Sequence, residues 1–226
     1  MVFCTSYFEN QEYYYLRYKK WISYYLSLPF SEDKDFFMLD DGSDLTVADN
    51  LFNYIEEEVT EDSKIEKMNF FHFKERAGNT RTANHPGWYR SFLYSLDIAR
   101  TLGYDKIIHI ESDLYLLSNK ICQYIDGANS GWISFLCPKY NFPESSIQII
   151  NKDCFRKFEN FRDEILAKGL HSMAHANVEH LLPLTHLEKG FNGDRFGETN
   201  LPQNLNMDYY AQARLGSNFN FVYRND

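Results

Sequence analysis

The chain is poor in the features that would place it quickly. No uncharged apolar run reaches the ~18 residues of a membrane-spanning helix. The opening MVFCTSYF lacks the basic start and long apolar core of a secretory leader, so neither span nor leader is expected. Cysteine is scarce. Cys4, Cys122, Cys137 and Cys154 stand far apart without a CxxC pair, so reduced, buried thiols are expected rather than a disulfide framework. Basic charge is in deficit: 23 Lys and Arg face 32 Asp and Glu, for a formal net charge of −9. That balance argues against a nucleic acid as main partner, because such affinity comes from neutralising backbone phosphates. A small phosphorylated ligand needs only local positive charge or a metal ion. Glycine signatures are missing too. The absence of GxGxxG after the first apolar segment argues against a nicotinamide dinucleotide enzyme, and that of GxSxG against an α/β hydrolase. There is no HExxH either, although His171, His175, His180 and His186 fall within sixteen positions.

What is present is an alternation of strand and helix patterns over 226 residues, a length that suits one α/β domain. VFCTSYF reads as a short buried strand. Residues 10–28 follow as a helix with Tyr15, Tyr18, Ile22, Tyr25 and Leu26 on one face, ended by Pro29. DFFMLDDGSD is a second strand running into a turn, 45–58 a helix with an acidic end, and 69–73 a third strand. Pro86 opens a helix over 86–102 that Gly103 closes, with Asn84 or His85 as its cap. Then come strand 106–110, a short helix over LSNKICQYI, strand 132–138, strand 147–151 and an amphipathic helix from Lys152. The pattern predicts an open, mostly parallel sheet with helices on both faces and an irregular C-terminal region, in one domain. Aromatic residues make up 17% of the chain, most of them expected in the core.

In such a sheet, ligands collect at the carboxyl ends of the strands. Three polar clusters fall there: TSYFEN, DDGSD, and the ESD that follows IIHI. In extended backbone, residues two apart face the same way, so Glu111 and Asp113 can converge on one cation while Ser112 points aside. Hard Mg2+ or Mn2+ prefers such carboxylate oxygens. His109, inside the strand, is expected to be a satisfied core residue.

The ordered set resembles the nucleotide-sugar glycosyltransferases of the GT-A fold, family 2 in particular. Their first strand ends in a Thr-Tyr-Asn-Glu-like turn, their second in Asp-Asp-Gly-Ser, and a DxD motif follows a later strand. The resemblance covers residues 2 to 118, about half of the chain. Two positions depart from it: Glu111 stands for the first Asp of DxD, and Cys4 for a proline. The resemblance implies a Rossmann-like GT-A fold, with 1–118 binding the sugar nucleotide and 119–226 the acceptor. Asp40 and Asp41 would recognise the nucleoside and Thr5 and Tyr7 line the base. Arg81 and Arg90 would meet phosphate, and Glu111 and Ser112 would contact the sugar nucleotide. Asp113 and Glu111, with His186 or His180, would hold Mn2+ or Mg2+. Glu179 or Asp208 would be the catalytic carboxylate, with inversion or retention left open. The implied partners are a nucleoside diphosphate sugar, UDP favoured, and a glycan or lipid-linked glycan acceptor. The expected setting is cytoplasmic synthesis of bacterial surface polysaccharide, with peripheral membrane contact through the acceptor lipid. Two alternatives remain: a sugar nucleotidyltransferase, disfavoured because TSYFENQE lacks a Gly-rich basic loop, and a non-catalytic carbohydrate-binding protein.

Overall fold

The computed structural model describes residues 1–43, 51–56, 58–78, 85–173, 178–195, 206–215 and 223–225. Among these, eight strands form one sheet in the order β3-β4-β2-β1-β5-β8-β7-β9. They are β1 (Val2–Ser6), β2 (Phe36–Asp40), β3 (Asn53–Glu56), β4 (Met68–His72), β5 (Lys106–Ile110), β7 (Trp132–Cys137), β8 (Phe142–Asn151) and β9 (His186–Glu188). β8 runs antiparallel to both its neighbours, and every other neighbouring pair is parallel. A smaller sheet, β10-β11-β6, joins β6 (Tyr115–Leu116), β10 (Gly193–Arg195) and β11 (Tyr209–Ala211).

Period-two alternation divides the strand residues between two cores. On one face Val2, Cys4, Phe36 and Met38 pack against Trp21, Ile22 and Tyr25 of α2 (Lys20–Leu26) and Ile121 and Ile125 of α4 (Asn119–Gly127). On the other, Phe3, Phe37 and Leu39 meet Phe92 and Leu96 of α3 (Pro86–Thr101) and Phe158 and Phe161 of α5 (Phe155–Lys168). All four cysteines are buried free thiols.

Chain order and spatial order diverge at β1. From there the chain builds outward through β2 to β4 and β3, then returns to lay β5 on β1's other side. That reversal opens a crevice at the carboxyl ends of β1 and β5, the general place for a ligand in an open α/β sheet.

Three sequence expectations need correction. In the segment 45–58, expected as a helix, Asn53–Glu56 forms β3 at the edge beside β4, with 44–50 outside the described residues. The acidic run after Ile55 favoured helix locally, whereas Asn53 donates to Asn69 Oδ1 at 3.0 Å across the strands, a partner sixteen positions away. The strand expected at 147–151 begins at Phe142. Finally, the helix expected over 10–28 contains a π-helical stretch, Tyr14–Lys19, between α1 (Gln11–Tyr13) and α2. The wider i→i+5 winding shifts the face. Tyr14 and Trp21 therefore join Tyr18, Ile22 and Tyr25 inside, while Tyr15 and Leu26 are exposed.

Candidate functional site

Two cavities of about 460 and 500 Å3 meet at the β1/β5 crevice. Thr5, Arg17, His85, Trp88 and Glu111 line both, and so mark the junction between two lobes.

Glu111 is the hub of that junction. It follows β5, and Thr5 Oγ1 from β1 lies 3.0 Å from each of its oxygens. Trp88 Nε1, from the first turn of α3, donates to it, and His109 Nε2 lies 2.8 Å away. His109 is fully buried and stacked on Phe3, so it is the satisfied core residue expected, and also a support for Glu111. Burial by itself would raise the Glu111 carboxyl, but His109, the Trp88 bond and Arg17 outweigh it and hold it below the ordinary glutamate value.

The next two residues are held from the opposite side. Arg17, in the π-helical stretch, donates from Nε to Ser112 Oγ at 2.7 Å and pairs through Nη2 with Asp113 Oδ2 at 2.9 Å. Burial lifts the Asp113 carboxyl above the ordinary aspartate value, with Glu111 and Glu144 adding like charge, against the pull of Arg17.

The first lobe holds Tyr7, with the Arg76 guanidinium 3.7 Å above its ring centroid. Asp41 borders this lobe, but its carboxylate is engaged by Ala77 N at 3.2 Å, Gly78 N at 2.8 Å and the Arg90 guanidinium. Asp40 is fully buried and does not line it. It accepts from Ser6 Oγ at 3.0 Å and from Ser43 N at 2.7 Å, and lies 2.9 Å from His72 Nδ1. The role expected of Asp40 on the base therefore gives way to a lock joining β1, β2 and β4. Arg90, committed to Asp41 and lying over Phe73 at 4.0 Å, lines neither lobe. His85 occupies the cap position of α3 with no side-chain capping bond, and its ring borders both lobes. Arg81 lies outside the described residues.

The second lobe carries Glu179, from the short helix α6 (Val178–Leu181). It accepts from Ser145 Oγ and from Arg195 Nη2, both at 2.9 Å. Arg195 is held in turn by a two-point pair with the buried Glu144 of β8, at 2.6 Å for each bond. Burial opposes ionisation of Glu179. Bonds from its own backbone N–H, from Arg195 and from Ser145 outweigh it and keep the carboxyl below the ordinary glutamate value.

The structure does not bring Asp208, His186 or His180 to this place. Asp208 is buried beside Ser118 Oγ at 2.6 Å and Asn192 N at 2.8 Å, and borders a separate cavity with Lys120 and Asn206. It fastens the small sheet, whereas Glu179 lines the second lobe. His186 starts β9 opposite Ile133, near the beginning of β7 and thus at the other end of the sheet from the crevice. It is exposed, 3.3 Å from Glu188. His180 is exposed against Phe142 and lines neither lobe.

Among the described residues no three His, Cys, Asp or Glu side chains converge as a ready metal cage. A divalent hard cation bound to a diphosphate does not need one, since one or two carboxylates suffice when phosphate and water complete the shell. The second lobe meets that lesser demand. Of the described residues lining it, four are carboxylates, Glu111, Asp113, Glu144 and Glu179, against two guanidiniums, Arg17 and Arg195. Carboxylates thus outnumber guanidiniums by two in this lining, and Glu111 and Asp113 are the oxygen donors that would hold such a cation.

Among solved structures, the galactosyltransferase LgtC in complex with donor and acceptor sugar analogs matches at TM-score 0.54. The identity is 10%, over 93% of this chain and 86% of LgtC. An active-site mutant of LgtC gives the same values. The chain has a GT-A fold. A glycosyltransferase involved in glycosylation of the major capsid of PBCV-1 follows at TM-score 0.46, with 9% identity over 93% of this chain and 90% of its own. No protein-family model and no curated protein sequence matches the chain.

Within this GT-A sheet, several site residues carry no local mark in the sequence. Arg17 and Arg76 are each one of several basic residues in segments that show a hydrophobic face or a polar loop. Trp88 reads as one more apolar residue of α3. Glu144 and Arg195 are fifty-one positions apart, and no spacing rule links them. Trp88 did offer one signal: an indole in the first turn of a helix, next to an acidic strand end, can donate where most core residues cannot.

Proposed function

We propose that the chain is a glycosyltransferase that takes its sugar from a nucleoside diphosphate donor, with UDP favoured, and passes it to a hydroxyl of a glycan acceptor. The observation that carries this reading is the two-lobed crevice at the β1/β5 switch point, with Glu111 and Asp113 on its wall. The lobe built on Tyr7 and Arg76 suits a nucleoside, whose base can stack on the platform they form. The lobe containing Glu179 and Ser145 suits sugar and acceptor, where hydroxyl groups need paired donors and acceptors. Glu179 is the carboxylate placed to take the acceptor's proton, because it lines the sugar and acceptor lobe beside Ser145. Glu111 and Asp113 would hold Mn2+ or Mg2+, which when bound neutralises charge gathering on the leaving diphosphate. Thr5, Trp88 and His109 orient Glu111, and burial of the wall keeps water from competing for it. The setting that suits such an enzyme is cytoplasmic synthesis of surface polysaccharide, with a lipid-linked acceptor bringing it to the membrane. No helix of the described residues is long and apolar enough to cross one.

A panel of nucleotide sugars, with and without Mn2+, tests the proposal through melting temperature and donor hydrolysis. A donor at 100 times its dissociation constant adds about 2.7 kcal/mol of stability. One nucleotide class should stand out, and chelator should reduce both the shift and the hydrolysis. Glycan binding without hydrolysis or transfer from any donor would identify a carbohydrate-binding protein instead.

A further inference from the structure

Arg17 is committed to the two residues at the end of the ESD segment, and it lies where the two lobes join. Of the described arginines and lysines lining the cavities, Arg76 belongs to the first lobe alone and Arg195 to the second alone. Arg17 is shared by both. A nucleoside in the first lobe and a sugar in the second must be linked by their diphosphate across this junction. A guanidinium keeps its charge at any working pH and offers a planar fork of donors that matches phosphate oxygens. Its Nε and Nη2 are occupied by Ser112 and Asp113. Among the described residues, Nη1 has no hydrogen-bond partner, and it remains available to a third oxygen. The π-helical winding of Tyr14–Lys19 is local evidence for purpose, because such single turns cost regular hydrogen bonding and gather at functional positions.

We infer that Arg17 binds the diphosphate of the donor directly and stabilises it as a leaving group, giving up part of its hold on Asp113 as the donor enters. This rests on the glycosyltransferase reading. In the transfer, the bond between the anomeric carbon and the diphosphate oxygen breaks and its electron pair stays on that oxygen. The acceptor oxygen bonds to the anomeric carbon, and its proton passes to Glu179. Arg17 acts on the charge that the departing oxygen gains. Asp113 holds Arg17 at the junction in the free protein, which keeps the guanidinium in place before the ligand arrives.

The test is calorimetric titration of the full chain with inorganic pyrophosphate and with UDP, in EDTA and in Mn2+. The proteins compared are wild type, Arg17→Gln, Arg17→Lys and Asp113→Asn, each checked for an intact melting transition. In EDTA, Arg17→Gln should weaken pyrophosphate binding at least tenfold and Arg17→Lys should retain part of it. Asp113→Asn should bind as well as wild type or better, because it frees the guanidinium. A role confined to bracing Asp113 predicts the opposite for that variant, a loss like that of Arg17→Gln, and this result would overturn the inference. So would Arg17→Gln, or Asp113→Asn alone if Arg17→Gln does not fold, departing from these expectations while wild type binds UDP in Mn2+. Failure of wild type to bind either probe in Mn2+ would remove the glycosyltransferase reading itself, and the inference with it.

Discussion

Gly87 offers a test in which helix propensity and tertiary contact predict opposite signs. It lies in the first turn of α3, where alanine is favoured over glycine by about 0.8–1 kcal/mol in a regular helix interior. On propensity alone, Gly87→Ala should stabilise the protein. A Cβ built there, however, lies 2.1 Å from Asp41 Oδ2 and 2.4 Å from its Cγ, far inside contact distance. Asp41 cannot swing away freely, because Ala77 N, Gly78 N and Arg90 all hold it. Displacing it sacrifices hydrogen bonds to a charged acceptor, each about 1.5–3 kcal/mol. With two of them lost, and less the propensity gain, the net cost should be about 2–5 kcal/mol, which for a chain of this size lowers the melting temperature by roughly 4–20 °C. The assay is urea or thermal unfolding followed by circular dichroism. Gly127→Ala, with open space around its Cβ, serves as the control. It should gain about 0.4–1 kcal/mol through the unfolded chain. A Gly87→Ala protein that melts at or above wild type would refute the argument, and with it the tight seating of α3 on the Asp41 turn.

Four further outcomes are expected. Tyr7→Ala should weaken UDP binding by about 1–3 kcal/mol, the usual worth of one stacked base, while Tyr7→Phe stays near wild type in the same titration. Glu179→Gln should lower kcat by about 10²–10⁴-fold, and it should fold cooperatively but melt somewhat lower at neutral pH, since it loses the charged bond to Arg195. Because the folded Glu179 carboxyl is depressed, its stabilisation is complete above the unfolded value of about 4.3. It is lost as pH falls through the lower folded value, so acid unfolding of wild type and Glu179→Gln should converge only below that point. Glu144→Leu, which leaves the buried Arg195 only Glu179 and Ser145, should cost less than the about 3–5 kcal/mol of a fully stranded charge in urea unfolding, and adding Arg195→Met should recover part of it. The four thiols should resist a thiol reagent until the protein unfolds, since all are buried and burial pushes Cys122 up to about 11.

Strand and helix order was legible because each element has its own period. FFMLD and KIIHI are continuous apolar runs fit for strands buried on both faces, and Pro86 and Gly103 bracket α3. The polar ends of those strands were legible for the same reason: acids directly after an apolar run stand out. Edge strand β3 was not legible, because its parallel partner β4 begins only at Met68, beyond a longer connection, and its own stretch is acidic. Nor was the difference between Asp40 and Asp41 visible. Two adjacent aspartates look alike as letters, yet the strand pleat sends one into a buried lock and turns the other toward the loop of Ala77 and Gly78.

By itself, then, the sequence determined the alternating α/β architecture, the rim at which polar residues collect, and Glu111 and Asp113 as its acidic centre. These follow from local periodicity and from the cost of charge beside apolar strands. Only the tertiary structure decided which charges meet: Arg17 with Asp113, His109 with Glu111, Arg195 with Glu144 and Glu179, and Asp208 and His186 elsewhere. Apart from the His109–Glu111 pair, those encounters join residues from separate elements, and a short-range Coulombic contact depends on the packing of those elements rather than on position along the chain.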